Sequence, residues 1–245
     1  MPGGGAVTAG VTTGVVSFDL DGTLWEFQPM MDGALEAAIE ALEQRVPDLT
    51  GRLTLADLHE HRRLIGHEMQ GTLEELRRAS IHRALRSVGH DDRALAGWMA
   101  DRLLEARAER VPIHGDVVPT VEQLLARGHV VGAITNGNFP FHRLELARRF
   151  DFIVHAEEVG GHKPGPEPFA RAVELAGGHP EHWVHVGDDI EIDVGGAQAF
   201  GMHAVWLNRY GLEPHAELTP DAEIAGLDEL PGVVERLLGP PAADR

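Results

Sequence analysis

The sequence predicts an α/β protein: a parallel sheet covered by helices on both faces, interrupted by an all-helical insertion. Short apolar runs rich in β-branched residues recur at residues 14–20, 129–134, 182–186 and 203–207, separated by helix-length segments. Between Trp25 and about Val111 the alternation gives way to helical periodicity with no strand-like run.

The first run, GVVSFDL over 14–20, reads as a strand buried on both faces. Four helical patterns follow. The first places Leu35, Ile39, Leu42 and Val46 on one face, and Pro47 ends it. The second starts at Thr54, whose hydroxyl can cap the helix with Asp57 as a shortened capping box, and Leu55, Leu58, Ile65 and Met69 follow. The third holds Leu73, Leu76 and Leu85, and the fourth Leu95, Trp98, Met99 and Leu103. The remaining apolar runs then resume the sheet. The expected division is a flexible tail over 1–12, a core over 13–24 and 112–245, and an inserted helical domain over 25–111.

A chain of 245 residues can hold one large α/β domain or a core with a smaller insertion. With 43% hydrophobic and 24% charged residues and no apolar run of membrane-spanning length, a water-soluble protein is expected. The net charge of -18 argues against a non-specific nucleic-acid binder, which needs a basic surface to displace counterions. An anionic substrate must therefore be met locally, by a cation or by backbone N–H groups. The absence of cysteine excludes disulfides and thiolate zinc sites and suits the cytoplasm. The first residues, MPGGGAVTAGVTTG, lack the basic and apolar regions of a secretory signal.

Chemistry is concentrated where the predicted strands end. Asp19 and Asp21, in FDLDGTL, are two carboxylates at the carboxyl end of a buried strand, where open parallel sheets bind ligands, and Gly22 permits a sharp turn after them. An Asp-Gly turn with a solvated Asp19 is the competing reading. Thr135, Asn136 and Gly137 follow the next core strand, where a hydroxyl and successive N–H groups can bind phosphoryl oxygens; an ordinary strand-ending turn is the alternative. Lys163 sits in the loop GHKPGP, whose prolines restrict the backbone that presents the ammonium, although loop lysines are commonly only solvated. Asp188, Asp189, Glu191 and Asp193 follow the run HVG; oxygen ligands without cysteine suit Mg²⁺, whereas acids at a helix start also answer to its dipole. A carboxylate pair, a hydroxyl, a lysine and a metal-binding acid at successive strand exits together describe a site for phosphoryl transfer.

These four motifs, in this order and spacing, resemble those of the haloacid dehalogenase superfamily, in its subfamily with a helical cap inserted after the first motif, over roughly Val15 to Arg209. The resemblance implies a Rossmann-like core with a mobile cap. It also implies that Asp19 is the nucleophile attacking phosphorus and that Asp21 is the acid/base. Thr135, Asn136 and Gly137 would bind the phosphoryl group, and Lys163 would neutralise the nucleophile and the transferred group. The Mg²⁺ would be held by the Asp19 carboxylate, the Asp21 backbone carbonyl and Asp188, with Asp193 orienting ligands or Lys163. The expected enzyme is a phosphatase acting on a small organic phosphate monoester, without nucleic-acid or membrane partners.

Within the superfamily, 2-haloacid dehalogenases lack an acid at the position of Asp21 because halide leaves without a proton, so Asp21 favours a phosphatase. Phosphonate-cleaving relatives need a lysine from the cap, and residues 25–111 contain none. The stretches AITNGN and HVGDDIEIDVGGA resemble bacterial phosphatases acting on flavin mononucleotide (FMN) and on 5-amino-6-(5-phosphoribitylamino)uracil, and similar loops occur in pyrimidine nucleotidases and sugar phosphatases. A signalling receiver module also uses an acidic pair, a Thr and a Lys around Mg²⁺. Such modules are about half this length, and no acid stands beside Thr135 as their phosphate acceptor would. The histidines, including His59, His61 and His67, read as solvated or capping residues. Trp25 and Phe27 are expected either at a substrate entrance or in hinge packing.

Overall fold

The computed structural model describes residues 14–214 and 217–239, and the expected tail over 1–12 lies outside them. Two compact units emerge. One is built from the segment ending at Leu24, Gly115–Asn136 and the segment beginning at Arg149; the other from Trp25–His114 and Gly137–Arg148.

The first unit is a six-stranded sheet in the order β3-β2-β1-β4-β5-β6, formed by β1 (Val15–Phe18), β2 (Val130–Thr135), β3 (Phe152–His155), β4 (Trp183–Gly187), β5 (His203–Leu207) and β6 (Ala222–Ile224). Every neighbouring pair is parallel. β3 and β6 lie outside the apolar runs that predict the other four strands. The first is a short strand of alternating burial and the second a three-residue edge strand, so neither shows the continuous apolar run that marks the central strands.

The chain builds outward from β1 to β3 on one side and from β4 to β6 on the other, so β1 and β4 meet where the winding reverses. In such sheets the crevice outside the strand ends at this switch point is where ligands bind. Helices cover both faces. Phe169 and Ala172, from the helix Glu167–Ala176, and Ala197, from Gly196–Phe200, pack on Val15, Ile134, Val154 and Trp183. The helices Val117–Ala126 and Leu230–Leu238 pack on each other against the opposite face.

The helical unit contains α1 (Phe27–Arg45), α2 (Leu55–Glu68), α3 (Leu73–Ser87) and α4 (Arg93–Arg110). Its core joins Leu35 and Leu42 to Leu85, Met99 and Leu103. The Thr54 hydroxyl accepts from the Asp57 N–H, and Asp57 accepts from the Thr54 N–H, which is the capping box the sequence predicts. α2 stops at Glu68, however, and Met69 is exposed rather than part of the apolar face. Gly137–Arg148 joins this unit because Phe139 and Phe141 are fully buried beside Trp25, with ring centroids 4.5 and 6.3 Å away. Trp25 is itself fully buried and forms a β-bridge with Ile113, so it packs inside this unit. Among the described residues no helix is long and apolar enough to cross a membrane.

Candidate active site

Side-chain parity along β1 explains why the site begins at Asp19. Val15, Ser17 and Asp19 point to one face, and only Asp19 lies beyond the last strand residue, where its backbone N–H still donates to Val186 O at 2.8 Å. The chain then turns at Gly22 with φ of +96°, and a Cβ there would lie 2.2 Å from Asp188 Oδ2. Glycine is required for both the positive φ and the close approach. Thr23 donates its hydroxyl to Asp188 Oδ1 at 3.3 Å, tying the turn after β1 to the exit of β4.

Lys163 is the only lysine in the chain. Its side chain is buried, and Nζ donates to Asp19 Oδ1 at 2.8 Å and to Asp193 Oδ1 at 2.6 Å. The loop that carries it is fixed from β2: Asn136 Nδ2 donates to Lys163 O at 2.9 Å, and Lys163 N–H donates to Asn136 Oδ1 at 2.8 Å. The Asn136 side-chain amide thus holds the backbone of Lys163. Thr135 is buried at the end of β2, and Gly137 falls in the helical unit. Asp21 lies two residues past Asp19 and is half-buried.

Asp188 follows β4, and one carboxylate oxygen from each of Asp19, Asp188 and Asp193 lies within 4.8 Å of the others. The roles within this trio differ. Asp193 Oδ1 takes Lys163 and a longer contact from His185 Nε2 at 3.4 Å, while Oδ2 accepts the Asp189 N–H at 3.1 Å. Both of its oxygens are thus occupied by protein donors. Asp189, left undecided by the sequence, caps the following turn: its Oδ1 accepts from the N–H groups of Glu191 and Ile192, each at 2.9 Å.

The electrostatics follow from gathering three carboxylates around one ammonium, with Asp19 and Asp193 buried and Asp188 at the exposed edge. Burial opposes charge on Lys163, but Asp19 and Asp193 outweigh it and raise the ammonium above the ordinary lysine range. Burial would likewise raise Asp193, yet Lys163 and His185 bring it well below the usual carboxylate range. Asp19 moves the other way: burial pushes it well up, Lys163 offsets only part, and Asp193 and Asp188 add to the rise. Burial, followed by the charge of Asp193, lifts Asp188 to about 6. Three carboxylates against one ammonium leave the cluster short of positive charge, and an added cation would lower Asp19 and Asp188 towards the ordinary carboxylate range.

Residues 13–201 match the family of haloacid dehalogenase-like hydrolases. The chain belongs to that family. It is 30% identical to the glyceraldehyde 3-phosphate phosphatase of Methanopyrus kandleri, over 91% of this chain and 97% of the relative. It is 28% identical to the 5-amino-6-(5-phospho-D-ribitylamino)uracil phosphatase of Escherichia coli, over 86% and 94% respectively. A solved 2-haloacid dehalogenase from Pseudomonas syringae superposes with a TM-score of 0.77 at 38% identity, covering 92% of this chain and 99% of that one.

Two residues of the cluster escaped the sequence reading, Ser17 and His185. Both stand in apolar strand runs and are buried. Their signal was parity: Ser17 shares a strand face with Asp19, and His185 shares one with Gly187 at the adjoining strand end.

Proposed function

We propose that this haloacid dehalogenase-like hydrolase is a Mg²⁺-dependent phosphatase of small phosphate monoesters that carries the phosphoryl group transiently on Asp19. One observation carries the reading: the only lysine of the chain is buried between Asp19 and Asp193 at the switch point of the sheet, with Asp188 alongside. A carboxylate approaching a phosphate dianion is repelled unless cations neutralise both. Lys163 supplies one such charge.

The remaining oxygens fit a hard divalent ion, because Asp188 and the second oxygen of Asp19 stand in a cluster short of positive charge and without sulfur ligands. Those two carboxylates and the Asp21 main-chain carbonyl would hold Mg²⁺, which supplies charge neutralisation and polarises a phosphoryl oxygen when bound. Asp193 fits the role of positioning Lys163, since its oxygens already face protein donors.

In the first step an Asp19 oxygen attacks phosphorus and the bond to the ester oxygen breaks. The electron pair stays on the leaving oxygen, which takes a proton from Asp21. Water then attacks the phosphoryl group, loses its proton to Asp21, and releases phosphate as the Asp19 carboxylate re-forms. The Thr135 hydroxyl and the Asn136 N–H receive phosphoryl oxygens throughout. The helical unit is assigned the role of the family's mobile cap. FMN and 5-amino-6-(5-phosphoribitylamino)uracil are the candidate substrates, the second supported by the E. coli relative.

The 38% identity to a 2-haloacid dehalogenase favours a second reading, in which the same nucleophile displaces halide. Asp21 argues against it, since a departing halide needs no proton donor.

The two are separated by assaying phosphate release from p-nitrophenyl phosphate, FMN, the ribitylaminouracil phosphate and glyceraldehyde 3-phosphate, with Mg²⁺ or EDTA, beside chloride release from 2-chloropropionate. Phosphate release that needs Mg²⁺ and falls by several orders of magnitude in Asp19→Asn is expected. Chloride release without phosphate release, or full phosphatase activity in EDTA, would overturn the proposal.

A further inference from the structure

The sheet interior behind the candidate nucleophile holds a file of polar side chains that the proposed chemistry does not use. β1 and β4 are adjacent and parallel, and Ser17 is the register partner of His185. Both side chains point to the face that carries Asp19, and both are essentially inaccessible to water. Ser17 Oγ lies 2.9 Å from His185 Nδ1, and His185 Nε2 lies 3.4 Å from Asp193 Oδ1. Phe169 meets the imidazole edge-on, at 5.4 Å between centroids and 88° between planes.

These contacts fix the tautomer. The Asp193 carboxylate, which also accepts from Lys163, can only accept, so the ring nitrogen facing it carries the proton. Nδ1 is then the acceptor, and the Ser17 hydroxyl, being a rotor, donates to it. A continuous series of donors results: Ser17 to His185, His185 to Asp193, with Lys163 bridging Asp193 and Asp19. Burying a hydroxyl and an imidazole in an otherwise apolar layer is unfavourable unless both are hydrogen-bonded, and here the hydroxyl meets the ring and the ring meets the cluster.

We propose that His185, locked by Ser17, is a positioning residue that orients Asp193 and through it holds the Lys163 ammonium against Asp19. The inference rests on reading Asp19 and Lys163 as the reacting pair. His185 touches neither substrate nor the attacking oxygen. Without its N–H, Asp193 retains Lys163 and the Asp189 N–H but loses the third contact that fixes Oδ1, so the carboxylate and the ammonium bound to it are held less tightly. The loss should fall on turnover rather than on substrate affinity.

Two readouts test this on the full-length chain. Because Lys163 is the only lysine, a ¹⁵Nζ-lysine label gives one side-chain ammonium resonance that needs no activity to interpret. The wild type should show it sharp and protected from solvent exchange, His185→Phe should broaden it or lose it, and His185→Gln, which restores a donor, should recover it. For p-nitrophenyl phosphate with Mg²⁺, kcat should drop about tenfold in His185→Phe with KM changed less than about twofold, and about threefold in Ser17→Ala. The double variant should match His185→Phe alone, because Ser17 acts through the ring. An unchanged ammonium resonance in His185→Phe, or additive losses in the double variant, overturns the inference. A wild type inactive on phosphate esters would defeat the functional proposal, while the ammonium resonance would still decide whether His185 holds Lys163.

Discussion

Asn136 and Lys163 close a two-point hydrogen-bonded ring, the amide of one donating to the carbonyl of the other at 2.9 Å and accepting its N–H at 2.8 Å. The end of β2 thereby fixes the backbone of a Pro/Gly-rich loop. Asn136→Ala leaves both main-chain groups of Lys163 without these partners, a loss of about 1–3 kcal/mol for each that stays unsatisfied. The thermal midpoint should fall, and turnover with p-nitrophenyl phosphate should drop about tenfold or more as Lys163 loses its register. Asn136→Asp keeps an acceptor for the N–H but sets a second anionic oxygen against the lysine carbonyl, so it should not rescue the alanine variant. Wild-type kinetics in either variant would show that the loop holds its form without Asn136.

Gly22 offers a separate handle on the metal. A methyl group there would meet Asp188 Oδ2 at 2.2 Å on a backbone with φ of +96°. Gly22→Ala should displace the Asp188 carboxylate. If the strain of about 1–2 kcal/mol is relieved at that carboxylate, the Mg²⁺ concentration for half-maximal activity rises roughly 5–30-fold. A titration of activity against Mg²⁺ reads this directly, and an unchanged midpoint removes Asp188 from the ligand set.

The shifts within the cluster also predict a pH dependence of stability. Asp188 is raised to about 6 and Asp19 is raised well above its ordinary value, both chiefly by burial. A carboxyl raised on folding binds its proton more tightly in the native state, so metal-free stability is greatest below the raised value and is lost as pH rises through it. Asp193, lowered by Lys163 and His185, has the opposite sign, and its contribution is lost only in strong acid. Asp188 contributes between its ordinary value and about 6, and Asp19 contributes with the same sign, so the thermal midpoint without metal should fall as pH rises through that window. Mg²⁺ competes with those protons and should raise the midpoint more at pH 7.5 than at pH 5. Equal stabilisation at both values would mean that the metal does not bind these carboxylates.

How much of this was legible depends on whether a residue's task is local. The central strands could be read because burial on both faces leaves a continuous apolar run, and the Thr54 capping box because its partners are three residues apart. β3 escaped because its alternating burial over four residues carries little pattern, and Gly137–Arg148 joins the helical unit only through the tertiary burial of Phe139 and Phe141. At the site, the acids and the lysine announce themselves by type and position. The Asn136 ring with Lys163 spans 27 positions and the Ser17–His185 pair 168, separations at which no local rule operates.

Asp21→Asn is the sharpest test of the proposed chemistry. The substitution keeps the main-chain carbonyl and nearly the same volume, so any metal held by that carbonyl, and the nucleophile itself, should survive. What is lost is the group that gives a proton to the leaving alcohol and later takes one from water, a contribution typically of about 10²–10⁴-fold. An activated aryl phosphate needs little help in leaving, so its first displacement should proceed while water attack on the phosphoryl-Asp19 slows. Rapid-quench sampling and intact-mass measurement should then find the variant carrying a phosphoryl group that the wild type turns over too quickly to accumulate. An alkyl phosphate, whose leaving group is poor, should instead fail at the first step and leave the variant unmodified. Should the variant release phosphate from the aryl ester as fast as the wild type, Asp21 is not the acid/base, and the ground for separating this protein from the halide-displacing members of its family is removed.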